Sequence, residues 1–310
     1  MIYTVTLNPA LDKTVEIPHF TLDAVNRIAA LRTDPGGKGI NVSKVIAKLG
    51  GTSRAAGLLA GQTGRTLAAQ LSALGLDCDF SYAEAGETRC NLKVIDPANH
   101  TNTDINEPGP TVTPAELDAL LAKLTASLGI GDIVVLAGSL PAGAPRDTYR
   151  TWTAACKAAG AKVFLDADGD LLAEGLKAAP YLVKPNDHEL SRLVGRELTG
   201  IEELHAAARR LLEAGVHKVV VSLGGKGGLY VTRQRSILAE GLRVPVGSTV
   251  GAGDSVVAAL ALAEEKGLSL EEAVVLSTAT GAANVMCSGT QAAEYSVIAS
   301  LMPKVIWHEL

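Results

Sequence analysis

The sequence predicts an α/β fold built on a largely parallel sheet, and three observations carry that expectation. Short apolar runs of strand length alternate with amphipathic stretches of helical length through the middle and C-terminal parts of the chain. The apolar 47% rests on Ala, Leu and Val with aromatics at only 4%, as suits helices packed on a parallel sheet. Polar or glycine-rich turns follow the strand-like runs in a consistent way, which places them along one crevice.

Residues 1–7 read as the first strand, and they lack the basic segment and cleavage site of a signal peptide. Residues 14–17, 28–33 and 89–96 alternate polar and apolar side chains with few helix signals around them, which predicts a small separate sheet or flap. Strands are then expected over 133–137, 163–166, 181–184, 219–223 and 229–232. Helices are expected over 114–127, 147–159 and 202–213, so the units are βαβ. A strand-like stretch at 242–246 leads into an apolar helical run at 255–264.

At 310 residues the chain has ample material for one large core. A formal charge of −5 shows no basic excess and argues against nucleic acid as the main partner. No apolar run reaches the ~18–20 residues of a membrane span. Cys78, Cys90, Cys156 and Cys287 are scattered without metal-ligand spacing and fit reduced thiols. The expectation is a cytoplasmic protein with no membrane partner.

The segment Ser248-Thr249-Val250-Gly251-Ala252-Gly253-Asp254 is the strongest chemical signal. A Gly-Ala-Gly turn opening a helix gathers unpaired N–H groups at the positive end of the helix dipole, which attracts anions. Asp254 would repel a phosphate held there unless the group is being transferred and Asp254 faces the attacking hydroxyl. An ordinary helix cap accounts for the same residues almost equally well.

A second glycine site, Pro35-Gly36-Gly37-Lys38-Gly39-Ile40-Asn41, precedes a helical run at 42–48, and Lys38 and Asn41 add charge and hydrogen-bonding capacity. Asp12 either accepts sugar hydroxyls or closes an Asx turn. Arg89, Asn91 and Lys93 share one strand face and suit either a solvated edge or a substrate phosphate. Gly224-Gly225-Lys226-Gly227-Gly228 is either a nucleotide loop or a hairpin. Asn186 and Glu189, three apart, either approach a hydrated Mg²⁺ or simply start a helix. No GxxxxGK[ST] or GxGxxG motif is present, so a nucleotide site must be built differently.

Taken together, Asn8-Pro9…Asp12, Gly36-Gly37-Lys38-Gly39-Ile40-Asn41-Val42, Gly138-Ser139-Leu140-Pro141, Lys184-Pro185-Asn186…Glu189 and Thr249-Val250-Gly251-Ala252-Gly253-Asp254 resemble the PfkB (ribokinase-like) carbohydrate kinases. The match runs in order over nearly the whole chain. The resemblance implies a single ribokinase-like domain over residues 1–310, a three-layer α/β/α sandwich with a mostly parallel central sheet. A small β lid would come from about residues 10–34 and 86–108. It also implies ATP and Mg²⁺, and a homodimer formed through the lid.

Within the family the glycine site with Lys38, and the segments at 88–93 and 103–109, resemble the branch that phosphorylates sugar phosphates. The implied reaction moves the ATP γ-phosphoryl to the C6 hydroxyl of D-fructose 1-phosphate. By motif, Asp254 is the base, kept ionised by the helix N-terminus, and Gly251, Ala252 and Gly253 form the anion hole. Asp12, Gly37, Lys38, Asn41, Arg89 and Ser139 would hold the sugar phosphate, with Arg27 reaching in from a partner subunit. Lys184, Asn186, Ser222, Gly224, Gly227 and Ser248 would face ATP, Asn284 would border the adenine, and Glu189 with Asn186 would approach Mg²⁺ through water. Tagatose 6-phosphate and fructose 6-phosphate are the alternative acceptors, and a non-catalytic sugar-phosphate sensor is the alternative of a different class.

Overall fold

The computed structural model describes residues 1–287, 289 and 291–310. The chain opens with β1 (Ile2–Thr6), β2 (Ala10–Glu16) and β3 (Ala30–Gly36), then α1 (Lys38–Lys48), β4 (Ser53–Leu59), α2 (Gly61–Ala73) and β5 (Asp77–Tyr82). It returns to short strands with β6 (Arg89–Asp96) and β7 (Thr101–Ile105). Alternation follows: α3 (Pro114–Ser127), β8 (Ile133–Ala137), α4 (Thr148–Ala158), β9 (Lys162–Asp166), α5 (Gly169–Leu176) and β10 (Leu182–Val183). Next come α6 (Asp187–Val194), α7 (Gly200–Glu213), β11 (Lys218–Ser222), β12 (Gly227–Thr232) and β13 (Ser236–Glu240). The chain closes with α8 (Ala252–Glu265), α9 (Leu270–Val285), α10 (Tyr295–Leu301) and β14 (Trp307–Glu309).

Ten strands form the main sheet in the order β14-β13-β12-β11-β10-β9-β8-β1-β4-β5. Every pairing from β5 across to β11 is parallel, and β12, β13 and β14 add on antiparallel. The near-continuous apolar runs of β1 and β8 follow from burial on both faces, with all five residues of each strand buried. One apolar cluster, including Leu136, Tyr149, Trp152 and Leu212, lies on one side of the sheet. A second, including Ile46, Phe164, Ala258 and Val274, lies on the other, which completes the three layers. Ala-rich α8 and α9 pack against each other on this second side, where small side chains permit close approach.

The predicted flap is a separate four-stranded sheet, β3-β2-β6-β7. β2 pairs antiparallel with β3 and parallel with β6, which sets Asp12 opposite Asn91. Among the described residues no helix is long and apolar enough to cross a membrane.

Two elements depart from expectation. Residues 242–246 join no sheet, because β14 already occupies the outer side of β13 and Pro245 has no N–H to donate. Leu242 and Val244 still turn inward against the second apolar cluster, which produces the strand-like alternation. The two glycine-led helices also start earlier than predicted, α1 at Lys38 and α8 at Ala252. Lys38, Asn41 and Asp254 are therefore first-turn helix residues.

Candidate active site

The carboxyl ends of β1, β8, β9, β10 and β11 open onto one crevice, at the point where the strand order reverses between β1 and β8. Both α1 and α8 begin there, and neither has a side-chain cap. Helices α3, α6 and α9, by contrast, carry complete capping boxes at Thr113, Asn186 and Ser269. A glycine N-cap offers no side chain to the first turn; at α1 Thr6 Oγ1 accepts from Ile40 N at 3.1 Å, and at α8 Ala252 N reaches the Thr249 carbonyl only at 3.4 Å. Gly251, at φ 80°, supplies the left-handed turn that α8 needs. The Ser248 hydroxyl accepts from Val250 N (3.2 Å), and Asn284 Nδ2 donates to the Val250 carbonyl (3.5 Å).

Four charged groups meet behind this turn. Asp254 is buried and accepts from Asn41 Nδ2 at 2.8 Å. Buried Asp166, at the end of β9, has one oxygen 3.3 Å from Lys38 Nζ and 3.7 Å from Lys184 Nζ. Lys184 also lies against the anion turn, since a Cβ on Gly253 would stand 3.1 Å from its Nζ. Burial raises the Asp254 carboxyl above the ordinary aspartate range, with Lys38 opposing and Asp166 reinforcing. Burial thus works against the charged form that the helix N-terminus favours. Burial would raise Asp166 too, but Lys184 and Lys38 hold it below the usual range. Lys38 is raised chiefly by Asp166, against its own burial, with Asp254 and Glu189 adding to the effect.

A second group of side chains comes from the small sheet. Asp12 accepts from Asn91 Nδ2 (3.0 Å), and its carboxylate covers Gly36 so closely that a Cβ there would stand 2.0 Å from an oxygen. Asp12 is thus a strand residue and closes no Asx turn. Arg89 donates through Nη2 to the Asn8 carbonyl (2.9 Å) and to Ser139 Oγ (3.4 Å). The left-handed Gly37 packs against Thr6 at the mouth of α1. Lys93 turns to Asp104 at 3.6 Å.

On the opposite side, Asn186 and Glu189 form a reciprocal capping box, with Glu189 N donating to Asn186 Oδ1 (2.7 Å) and Asn186 N to Glu189 Oε2 (2.9 Å). Ser222 bridges to Asn186, and Gly224 and Gly227 lie in the tight hairpin between β11 and β12. Gly227 is required there regardless of ligand, since a Cβ would stand 2.0 Å from the Ala239 carbonyl. Arg27 is exposed in the stretch between β2 and β3 and is not bonded to any crevice residue among the described residues.

Sequence reasoning gave Asp166 no role, although Lys38 at the start of α1 and Lys184 after β10 meet there and require a buried counter-charge. Tyr149 was also missed; it is fully buried and donates to the Gly138 carbonyl at 2.9 Å.

Buried side-chain atoms without a hydrogen-bond partner concentrate in this crevice: Asn8 Oδ1, Asn41 Oδ1, Arg89 Nε, Asn91 Oδ1, Asp166 Oδ2 and Asn284 Oδ1. Folded proteins satisfy most such atoms. Their gathering around a charged cluster marks a site fitted to a polar ligand.

Residues 5–296 match the family model of the pfkB family carbohydrate kinases. The chain is 45% identical over 279 residues to a 1-phosphofructokinase of Rhodobacter capsulatus, covering 90% of this chain and 88% of the relative. It is 38% identical over 305 residues to the 1-phosphofructokinase of Bacillus subtilis, covering 98% of both. Among solved structures, phosphofructokinase-2 from Escherichia coli in complex with fructose-6-phosphate superimposes with a TM-score of 0.90 at 33% identity, over 98% of each chain. The chain belongs to the pfkB family of carbohydrate kinases.

Proposed function

We propose that this enzyme transfers the γ-phosphoryl of ATP to the C6 hydroxyl of D-fructose 1-phosphate, giving D-fructose 1,6-bisphosphate and ADP. The observation that carries the reading is the surroundings of Asp254. A buried carboxylate with a raised pKa sits at the open start of a helix, between two lysines. Both curated relatives named above are 1-phosphofructokinases, which supports fructose 1-phosphate as acceptor.

In the reaction, Asp254 takes the C6 hydroxyl proton as the oxygen–phosphorus bond forms and the bond to the β-phosphate oxygen breaks. Asn41 orients the Asp254 carboxylate through its 2.8 Å hydrogen bond. The first-turn N–H groups at Gly251, Ala252 and Gly253, with Lys184, receive charge developing on the transferred oxygens. Asp12, Gly37, Lys38, Arg89 and Ser139 hold the sugar phosphate. Ser222, Gly224, Gly227, Ser248 and Asn284 line the nucleotide side.

Mg²⁺ belongs to the proposal, since a hydrated Mg²⁺ takes few protein ligands. Glu189 fits it: the cap uses Oε2, and its charge reaches Lys38. Asn186 is committed to that cap and serves by fixing Glu189 in place. Bound Mg²⁺ would neutralise phosphate charge.

We also assign the small sheet as a lid that excludes water, and as the dimer surface, where Arg27 of one copy reaches the partner's site. Leu22, Val25 and Leu31 support this, being 83%, 85% and 60% exposed on one exposed stretch of that layer.

The test is ADP release measured separately with fructose 1-phosphate, tagatose 6-phosphate and fructose 6-phosphate. The highest kcat/KM is expected with fructose 1-phosphate. Release with none of them would overturn the kinase reading in favour of a sensor.

A further inference from the structure

We propose that Asn8 is a positioning residue for the sugar phosphate, tying the small sheet to the main sheet so that Arg89 and Ser139 share one target. The inference rests on the sugar-phosphate kinase reading above and adds a residue that this reading leaves without a role.

Asn8 follows β1, the central strand at the switch point, and only 4% of it is exposed. Its Nδ2 donates to two carbonyls remote in sequence. One is Pro108 O at 3.1 Å, on the segment returning from the small sheet, and the other is Leu140 O at 3.3 Å, on the turn after β8. Its backbone carbonyl accepts from Arg89 Nη2 at 2.9 Å. One residue thus joins the end of β1, the first residue of β6, the exit from β7 and the turn bearing Ser139.

The amide orientation is set by its surroundings, because both carbonyls demand a donor. Asn8 Oδ1 is pressed against Gly109, where a Cβ would stand 2.3 Å away. Gly109 also holds φ +87°, a conformation open chiefly to glycine. The two residues form a fitted pair, which argues for positional demand over general packing.

Mechanically, Arg89 reaches Ser139 Oγ only at 3.4 Å, and its Nε has no protein partner. Its shortest bond is to the Asn8 carbonyl, and its Nη1 donates to the Glu107 carbonyl at 3.4 Å, on the same segment that Asn8 holds through Pro108. The Ser139 turn is held from its other side by Tyr149, through Gly138. Loss of the Asn8 amide frees both the Leu140 turn and the Pro108 segment, and two groups meant for one phosphate separate. ATP, on the β10–β11 side of the crevice, does not depend on these bonds.

The experiment compares Asn8→Ala, Asn8→Asp and Gly109→Ala with wild type. KM for fructose 1-phosphate and for ATP, kcat and Tm are measured for each. Each lost hydrogen bond is worth roughly a factor of five in affinity, so KM for the sugar phosphate is expected to rise about tenfold or more. KM for ATP should stay within about twofold. In an Arg89→Ala background, Asn8→Ala should add less than its full single-variant rise, because both act on the same phosphate site. Gly109→Ala, which keeps the Asn8 amide but drives a Cβ to 2.3 Å from its Oδ1 and so displaces it, keeps the test open if both Asn8 variants misfold.

Folded variants with unchanged sugar KM overturn the proposal, as does an equal rise in both KM values or full additivity with Arg89→Ala. Wild-type turnover is read in the same assay. If wild type prefers another ketohexose phosphate, the comparison uses that sugar. If wild type turns over none, the functional reading fails and takes this proposal with it.

Discussion

Helix α8 carries a buried or nearly buried carboxylate at each end, and the two are treated in opposite ways. Asp254, in the first turn, has a single side-chain donor, Asn41, and burial pushes its pKa up. Glu264, in the last turn, receives Lys162 Nζ at 2.5 Å, Lys218 Nζ at 2.6 Å and Tyr181 Oη at 2.7 Å. Burial opposes its ionisation too, but those donors hold it down at about 2. The helix dipole would have favoured the reverse, since a carboxylate is welcome at the N-terminus and unwelcome at the C-terminus. Burial at one end, and donor count at the other, run opposite to the dipole. A fully satisfied carboxylate fastens the helix to the bottom of the sheet, and an under-satisfied one is left with capacity for a substrate proton.

The sharpest way to break this contrast is to remove each carboxylate in turn. Asp254→Asn should lower kcat by ~10³-fold while binding of ATP and sugar persists, as expected for loss of a general base. Turnover within tenfold of wild type would end its assignment. Glu264→Ala should act the other way round, lowering stability by about 2 kcal/mol because Tyr181 and two lysines, themselves about a third exposed, lose their partner. Its kcat should stay within a few-fold, provided urea denaturation confirms that the assay is run on folded protein.

The two ends should also separate along the pH axis. As the proposed base Asp254 acts in its ionised form, so kcat/KM is expected to fall as pH drops through its folded pKa, which is raised above 3.8. Glu264 has a depressed folded pKa, so its contribution to stability is complete above about 4.5 and is lost as pH falls toward about 2. On acidification activity should therefore fade while the fold still holds. Parallel pH profiles of rate and of circular dichroism check this, and coincident midpoints would count against it. The smallest effect is expected at the neighbouring helix α9, whose start is finished by Ser269. Ser269→Ala should cost about 1 kcal/mol of stability with no change in kcat.

The fold was largely readable because β1, β8, β9 and β11 announce themselves as buried apolar runs ending in polar turns. The segment at 242–246 misled because inward-facing Leu242 and Val244 mimic a strand, and only the occupancy of the sheet edge tells otherwise. Around the crevice, Asp254, Lys38 and Lys184 were visible through their glycine and proline neighbours. Asp166 was not, because a lone aspartate closing a strand carries no local mark; its meaning comes from Lys38 on α1 and Lys184 after β10 converging on it. Asn8 was visible as part of a motif, but its three connections exist only after residues 89, 108 and 140 have come together. The raised pKa of Asp254 was likewise illegible, since depth of burial is a property of the assembled layers.

The hydrogen bond from Asn41 to Asp254 spans 213 positions of chain. Ile2 must likewise wait for Ile133 before β1 gains its partner on that side. During synthesis, then, the first strand stays an incomplete edge until nearly half the protein has emerged. The Asn41–Asp254 pairing cannot form until α8 has left the ribosome. Such distant contacts slow folding and lengthen the exposure of sticky strand edges. The nascent chain is accordingly expected to have no kinase activity and to need protection from aggregation until its last helices arrive.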